Sequence, residues 1–218
     1  MGPSYWRSKA EDEAMEDEHG FLWRALLDTV DVELAGARVL DVGCSRGGLL
    51  RMVADRWPIA EGAGYDPAAL AVEDAAARTG SRPLRFAVAD TVPDGWAGFD
   101  VALSHEVLYL LDDLAAHAGA VHAALVPGGA YFAVMGVHRD SPLMADWHRA
   151  NAEALGLPAL RGVDEVLACF TGAGFDATVA RLSLGFVPWD AHGHRVGGHL
   201  ADWLAYYHEQ KLVLRFAR

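Results

Sequence analysis

From Val39 onward, short apolar runs alternate with stretches in which apolar positions recur every three or four residues. Continuous or period-two apolar runs mark strands, and a 3.6-residue period marks an amphipathic helix. The pattern predicts strand 38–42, helix 48–57, strand 61–65, helix 68–79, strand 84–89, strand 99–104, helix 112–125 and strand 129–136. Turn signals fall between them at Trp57-Pro58, Asp66-Pro67 and Pro127-Gly128-Gly129. Such alternation predicts an α/β fold, a parallel sheet with helices on both faces joined by right-handed crossovers.

The flanks read differently. Residues 5–18 are helical in pattern and acidic, Gly20 interrupts, and Phe21, Leu22, Ala25, Leu26, Thr29 and Val30 then recur at helical spacing. Past the fifth strand, Ser141-Pro142 reads as an N-cap with proline at the first helical position, opening a helix to about Leu155. A second helix, 163–171, ends at Gly172-Ala173-Gly174 before a strand over 175–184. One helix suffices to reach the next strand, so 141–156 reads as an insertion. A further helix near 196–209, with Val196, Leu200, Trp203, Leu204 and Tyr207 as its apolar stripe, precedes a last strand at 212–217.

The 218 residues suit one domain able to bury a full core. Charge bears on partners. Nucleic-acid binders use about 6–10 basic contacts to phosphate, whereas here 18 basic residues face 30 acidic ones, for a net charge of −12. A small-molecule substrate is expected, without nucleic acid. No apolar run approaches a membrane span, and residues 1–9 lack the apolar core of a signal peptide. Cys44 and Cys169 give no disulfide framework or cysteine zinc site. The expected location is the cytoplasm, and the oligomeric state is left open.

The richest chemistry lies at Val39-Leu40-Asp41-Val42-Gly43-Cys44-Ser45-Arg46-Gly47-Gly48. A strand ending in such a turn leaves N–H groups of the next helix unpaired, and small residues admit a ligand close to the main chain. An acid at the strand end suits a ligand that carries positive charge. The stretch resembles motif I of the class I S-adenosylmethionine-dependent methyltransferases, Asp-x-Gly-x-Gly-x-Gly, with Asp41, Gly43 and Gly47 fitting and Ser45 replacing the middle glycine. In the rival dinucleotide fingerprint, Ser45 stands where pyrophosphate needs access to the backbone. An ordinary strand-turn-helix is the plain alternative.

The resemblance covers about residues 36–136. It implies a Rossmann-like seven-stranded, mostly parallel sheet with its last strand antiparallel and with helical cap insertions: a lid over about 1–34, a cap helix over about 141–156 and a second insertion over about 188–209. S-adenosylmethionine would be the cofactor and S-adenosylhomocysteine its product. The residues expected to bind it are Asp41, Gly43, Cys44, Ser45 and Gly47 in the first turn, with Asp66 on the ribose hydroxyls beside Pro67. Asp90 would take the adenine amino group beside Thr91 and Val92, and Ser104 and His105 would border the methionine part. Pro127-Gly128-Gly129 resembles the family's signature before strand five. The Asp/Asn-Pro-Pro-Tyr/Phe sequence of many nucleic-acid amine methylases is replaced by Ser104-His105-Glu106-Val107.

Methyl transfer needs positioning and, for a hydroxyl, a base. His138 and His105 are the candidate proton acceptors. Tyr5, Trp6, Tyr109, His138, Trp189 and His192 are expected to line the substrate side. Asp190, His192, His194 and His199 invite a metal reading, but a glycine-flanked loop does not fix ligand geometry, and no metal is expected. The expected reaction is methyl transfer to an O, N or C atom of a small molecule. The alternatives are a non-methylating S-adenosylmethionine reaction, such as an internal displacement or cyclisation, and a non-catalytic binding protein with this fold.

Overall fold

A computed structural model describes the backbone of residues 9–186 and 199–218, and the side chains of these except 9–15 and 17. Tyr5, Trp6, Trp189, Asp190, His192 and His194 therefore lie outside the described residues. The strands are β1 (Arg38–Val42), β2 (Glu61–Asp66), β3 (Leu84–Val88), β4 (Phe99–His105), β5 (Leu125–Met135), β6 (Asp176–Arg181) and β7 (Leu212–Ala217). They form one sheet in the order β3-β2-β1-β4-β5-β7-β6. β1 to β5 pair in parallel, and β7 runs antiparallel to both β5 and β6. The strand order reverses between β1 and β4, the place where open α/β sheets hold ligands beyond their C-terminal strand ends.

The helices are α1 (Lys9–Thr29), α2 (Gly48–Arg56), α3 (Ala69–Ala77), α4 (Leu114–Ala124), α5 (Pro142–Leu155), α6 (Val163–Gly172) and α7 (Leu200–Ala205). Alternate residues along β1 and β4 point to opposite faces of the sheet, which splits the core in two. Val39, Val101 and Leu103 pack with α1 and α2 through Leu22, Leu26, Leu50 and Val53. Leu40, Phe99 and Ala102 pack with α4 and α6 through Ala118, Val121 and Phe170. Layers on both faces are what the alternating pattern predicts.

Three segments depart from expectation. α1 runs unbroken through Gly20; a glycine inside a helix costs about 1 kcal/mol, and burial of Leu22, Trp23, Leu26 and Leu27 on the sheet outweighs that. β5 begins at Leu125, not 129. Leu125 already pairs with Phe99, the register shifts, and pairing resumes at Ala130 with Val101, so Pro127-Gly128-Gly129 is a bulge inside the strand. The helix expected near 196–209 is α7 followed by a π-helical turn, Tyr206–Gln210. No helix among the described residues is long and apolar enough to cross a membrane.

Candidate functional site

The loop after β1 carries three left-handed residues, Gly43 (φ 69°), Ser45 (φ 44°) and Gly47 (φ 74°). The glycines are needed for space as well as angle. A Cβ on Gly43 would lie 2.6 Å from Val107 Cγ2, and one on Gly47 would lie 2.7 Å from Phe86 Cζ. Ser45 tolerates its angle because its N–H donates to Asp66 Oδ2 at 2.9 Å. The other oxygen of Asp66 accepts from Ala68 N–H at 2.8 Å. Asp66 thus braces the loop and opens the turn into α3, while each carboxylate oxygen keeps capacity for a further donor.

Asp41 is buried at 2% exposure. Burial, reinforced by the Asp66 carboxylate, pushes its carboxyl well above the usual range, and burial raises Asp66 too. Among the described residues, Asp41 Oδ2 and Ser45 Oγ are buried with no hydrogen-bond partner. Cys44 packs its Cβ against Gly64, and burial raises its thiol, so it acts as a small apolar filler. Ala89 N–H donates to the Asp66 carbonyl at 3.1 Å, which brings the exposed Asp90 and Thr91 to the same end as Asp66, with Val92 half-buried beside them. Pro67 is exposed at the rim.

Ser104 does not border this cleft with its side chain. It is fully buried, and its hydroxyl pairs with Tyr131 Oη at 2.7 Å in the core on the α4 side. β4 alternates, so Ser104 and His105 point to opposite faces and only His105 reaches the α1 side. Its ring meets His19 of α1 edge-on at 4.8 Å. Burial, with His19 and Lys211 nearby, drives the His105 imidazole well below its ordinary value, so it is neutral, and its buried Nε2 has no hydrogen-bond partner.

His138 is 3% exposed, and its Nε2 donates to the Gln210 carbonyl at 2.8 Å. Its Nδ1 lies 3.9 Å from Asp140 Oδ2. Ser141 Oγ donates to Gln210 Oε1 at 2.5 Å, so His138 and Ser141 together hold the π-helical turn against the end of β5. Tyr109 meets Trp147 of the inserted helix α5 edge-on at 6.5 Å. Among the described residues no group of three or more His, Cys, Asp or Glu is placed to hold a metal ion.

Several residues at this end escaped the sequence reading. Glu106 follows β4, accepts from Gly136 N–H at 3.0 Å on both oxygens, and takes a hydrogen bond from the buried Lys211. Burial alone would raise the Glu106 carboxyl, but Lys211 and the Gly136 amide bring it below its usual range. Lys211 is one of only two lysines in an arginine-rich chain, and it directly precedes an apolar strand. That was the available signal. From α1, Glu16 pairs with Arg51 of α2 at 2.5 Å and with Arg78 after α3 at 2.6 Å.

Residues 40–131 match a methyltransferase domain family. No curated protein matches the chain. Among solved structures, a chain of the "complex between the Haloferax volcanii Trm112 methyltransferase activator and the putative methyltransferase" superposes with a TM-score of 0.82 at 21% identity, covering 96% of this chain and 94% of that one. An S-adenosylmethionine-dependent methyltransferase from Mesorhizobium loti gives a TM-score of 0.69 at 21% identity, covering 91% and 98%. Geranyl diphosphate C-methyltransferase from Streptomyces coelicolor A3(2), in complex with Mg2+, geranyl diphosphate and S-adenosyl-L-homocysteine, gives 0.74 at 16% identity, covering 99% and 85%.

Proposed function

We propose that the chain is a class I S-adenosylmethionine-dependent methyltransferase that binds S-adenosylmethionine and methylates an O, N or C atom of a small molecule in the cytoplasm, a reading supported by the methyltransferase-domain match over residues 40–131 and by the fold. The observation that carries the reading is the pair of unsatisfied buried atoms, Asp41 Oδ2 near the end of β1 and Ser45 Oγ on the left-handed loop that follows it. An orphaned buried carboxylate costs several kcal/mol unless a donor reaches it. A cationic amino acid moiety supplies such a donor, and a pyrophosphate does not.

The residues fit this cofactor. Asp41 and the loop amides would hold its amino acid part, Asp66 its ribose, and Asp90, Thr91 and Val92 its adenine. When bound, it supplies a methyl group on a positively charged sulfur. The protein's part is to orient that group and exclude water. α1 lies over the start of α2, where a Cβ on Gly48 would sit 2.6 Å from both Glu16 Oε1 and Trp23. With α5 and the C-terminal segment it forms the cap over the acceptor. The net charge of −12 supports a small acceptor over nucleic acid.

Calorimetry with S-adenosylmethionine, S-adenosylhomocysteine and NAD tests the cofactor. Incubation with methyl-labelled S-adenosylmethionine and a panel of phenols, carboxylic acids, amines and prenyl diphosphates tests the reaction. A labelled acceptor together with S-adenosylhomocysteine is the expected product pair. Methylthioadenosine, or an unmethylated product, would mean a different reaction of the same cofactor, and tighter binding of NAD would overturn the reading.

A further inference from the structure

Glu106 and Lys211 lie 105 residues apart in sequence and meet at the end of the sheet. Lys211 opens onto β7, which runs antiparallel to β5, so the start of β7 reaches the same end as the C-termini of β4 and β5. Among the described residues, Glu106 is one of two non-glycine residues with positive φ, at 58°. Such a conformation is strained and persists only where its surroundings over-determine it.

Its surroundings do so. The Gly136 N–H is shared between both carboxylate oxygens, and the Lys211 ammonium bonds Oε1. That ammonium also lies 4.8 Å from the ring centre of Tyr206 and 5.9 Å from that of Tyr207. Gly136 has no room to change, because a Cβ there would lie 2.7 Å from Glu106 Oε1, 2.7 Å from Tyr206 Oη and 3.0 Å from Lys211 Nζ.

The two members of the pair differ in exposure. The Lys211 side chain is 2% exposed and that of Glu106 is 14% exposed, so what the pair presents is carboxylate. Oε2, with only its share of the Gly136 bond, keeps room for another donor. The next residue, Val107, is the one that fills the space beside Gly43 in the glycine loop, so a single turn runs from the cofactor loop to the acceptor side. A purely stabilising role explains this poorly. Replacing a buried ion pair by apolar residues of similar size is often neutral or stabilising.

We propose that Glu106 is the negative group at the methyl-transfer centre and that Lys211 is the positioning residue that keeps it charged and aimed there. The inference rests on the methyltransferase reading above. It gives the acceptor side a fixed anion, which favours a sulfonium ligand over the neutral thioether left after transfer. It also suits an acceptor whose nucleophile carries a proton, such as a hydroxyl or an amine.

The test is the ratio of affinities for S-adenosylmethionine and S-adenosylhomocysteine, measured by calorimetry at one ionic strength. The two probes differ at the sulfur in one methyl and one positive charge, so the ratio reports the field at that atom. Glu106→Gln should lower the ratio at least about fivefold, and Lys211→Met should lower it comparably, because the carboxylate loses the partner that keeps it ionised. The double variant Glu106→Gln/Lys211→Met leaves no unpaired buried charge and is the one expected to fold under all conditions. In it the ratio should fall at least about threefold. An unchanged ratio in the double variant, with both probes still bound, overturns the placement of Glu106. A lowered ratio in Glu106→Gln with an unchanged one in Lys211→Met removes Lys211 from the role. Failure of the unsubstituted protein to bind either probe would instead overturn the methyltransferase reading itself.

Discussion

At the scale of single residues, the acids at strand ends are central to the proposed site, and Asp66 is the one most open to test. Both of its oxygens already brace backbone amides at Ser45 and Ala68, so its loss removes a ligand contact and loosens the loop together. Asp66→Ala is expected to weaken S-adenosylmethionine binding by about 2–4 kcal/mol, roughly 30- to 1,000-fold. Unchanged affinity by calorimetry in a folded variant would take the ribose away from Asp66. Asp66 and Asp41 stand out in the sequence because each lies at or beside the end of an apolar run, ahead of a turn. Glu106 does not, since its meaning comes from Lys211 on the last strand, and no local pattern links them. Ser104 was misplaced for a different reason: a one-residue step along a strand changes face, and only the register shows which face meets the cleft. A further residue-scale consequence concerns pH. Burial beside Tyr131 lowers the His117 imidazole to about 4, below its value of about 6.5 in an unfolded chain. The unfolded state therefore takes up the proton first, and stability is complete above about pH 6.5 and declines until about pH 4. Between pH 7 and pH 5 the His117 contribution amounts to a loss of about 2 kcal/mol. Urea unfolding of His117→Gln should show a pH dependence flatter by that amount, and an identical dependence would mean that the ring is already protonated or solvated when folded.

At the scale of elements, the pattern of apolar positions located the described strands and most helix boundaries to within a few residues, because each helix buries one face and the central strands are buried on both. It failed where an element has a second allegiance. Gly20 did not break α1, because four buried apolar residues beyond it are held by the sheet. The Pro127-Gly128-Gly129 bulge looked like a strand boundary, yet Leu125 already pairs with Phe99. The π-helical turn at Tyr206–Gln210 is tied by His138 and Ser141, contacts distant in sequence, and is followed directly by Lys211, which bonds Glu106; insertions of this kind concentrate at functional sites. α1 has the most consequence for function. Glu16 is its described tie to Arg51 and Arg78, and its partners flank the cofactor loop. Glu16→Gln is expected to raise hydrogen exchange in residues 9–18 several-fold without altering exchange in β1 and β4. Added S-adenosylmethionine should restore most of the protection if α1 closes over the ligand. Strong protection that is the same with and without ligand, in both proteins, would make this half of α1 fixed packing and not a lid.

At the scale of the whole molecule, the sheet order gathers at one end the unpartnered Asp41 and Ser45 side chains and, among the described residues, both non-glycine residues with positive φ, Ser45 and Glu106. The left-handed loop follows β1, Asp66 closes β2, the strained Glu106 follows β4, and Lys211 opens β7. The opposite end holds ordinary hydrogen-bonded turns such as Gly128 N–H to the Arg218 carbonyl at 2.9 Å. A molecule built this way keeps part of its stability in reserve for its ligand, since buried groups left without partners are satisfied only on binding. Mass action then fixes how large the effect must be. A ligand at about 100 times its dissociation constant stabilises the folded state by about 2.7 kcal/mol. For a chain of this size each kcal/mol raises Tm by about 2–4 °C, so saturating S-adenosylmethionine should raise it by roughly 5–11 °C. NAD at the same concentration should leave Tm within about 1 °C, and Asp66→Ala should shrink the cofactor shift in proportion to its lost affinity. The decisive comparison is between the two ligands on one sample: a shift with NAD and none with S-adenosylmethionine would assign this end of the sheet to a dinucleotide, and Ser45 would then have to leave the path of the pyrophosphate.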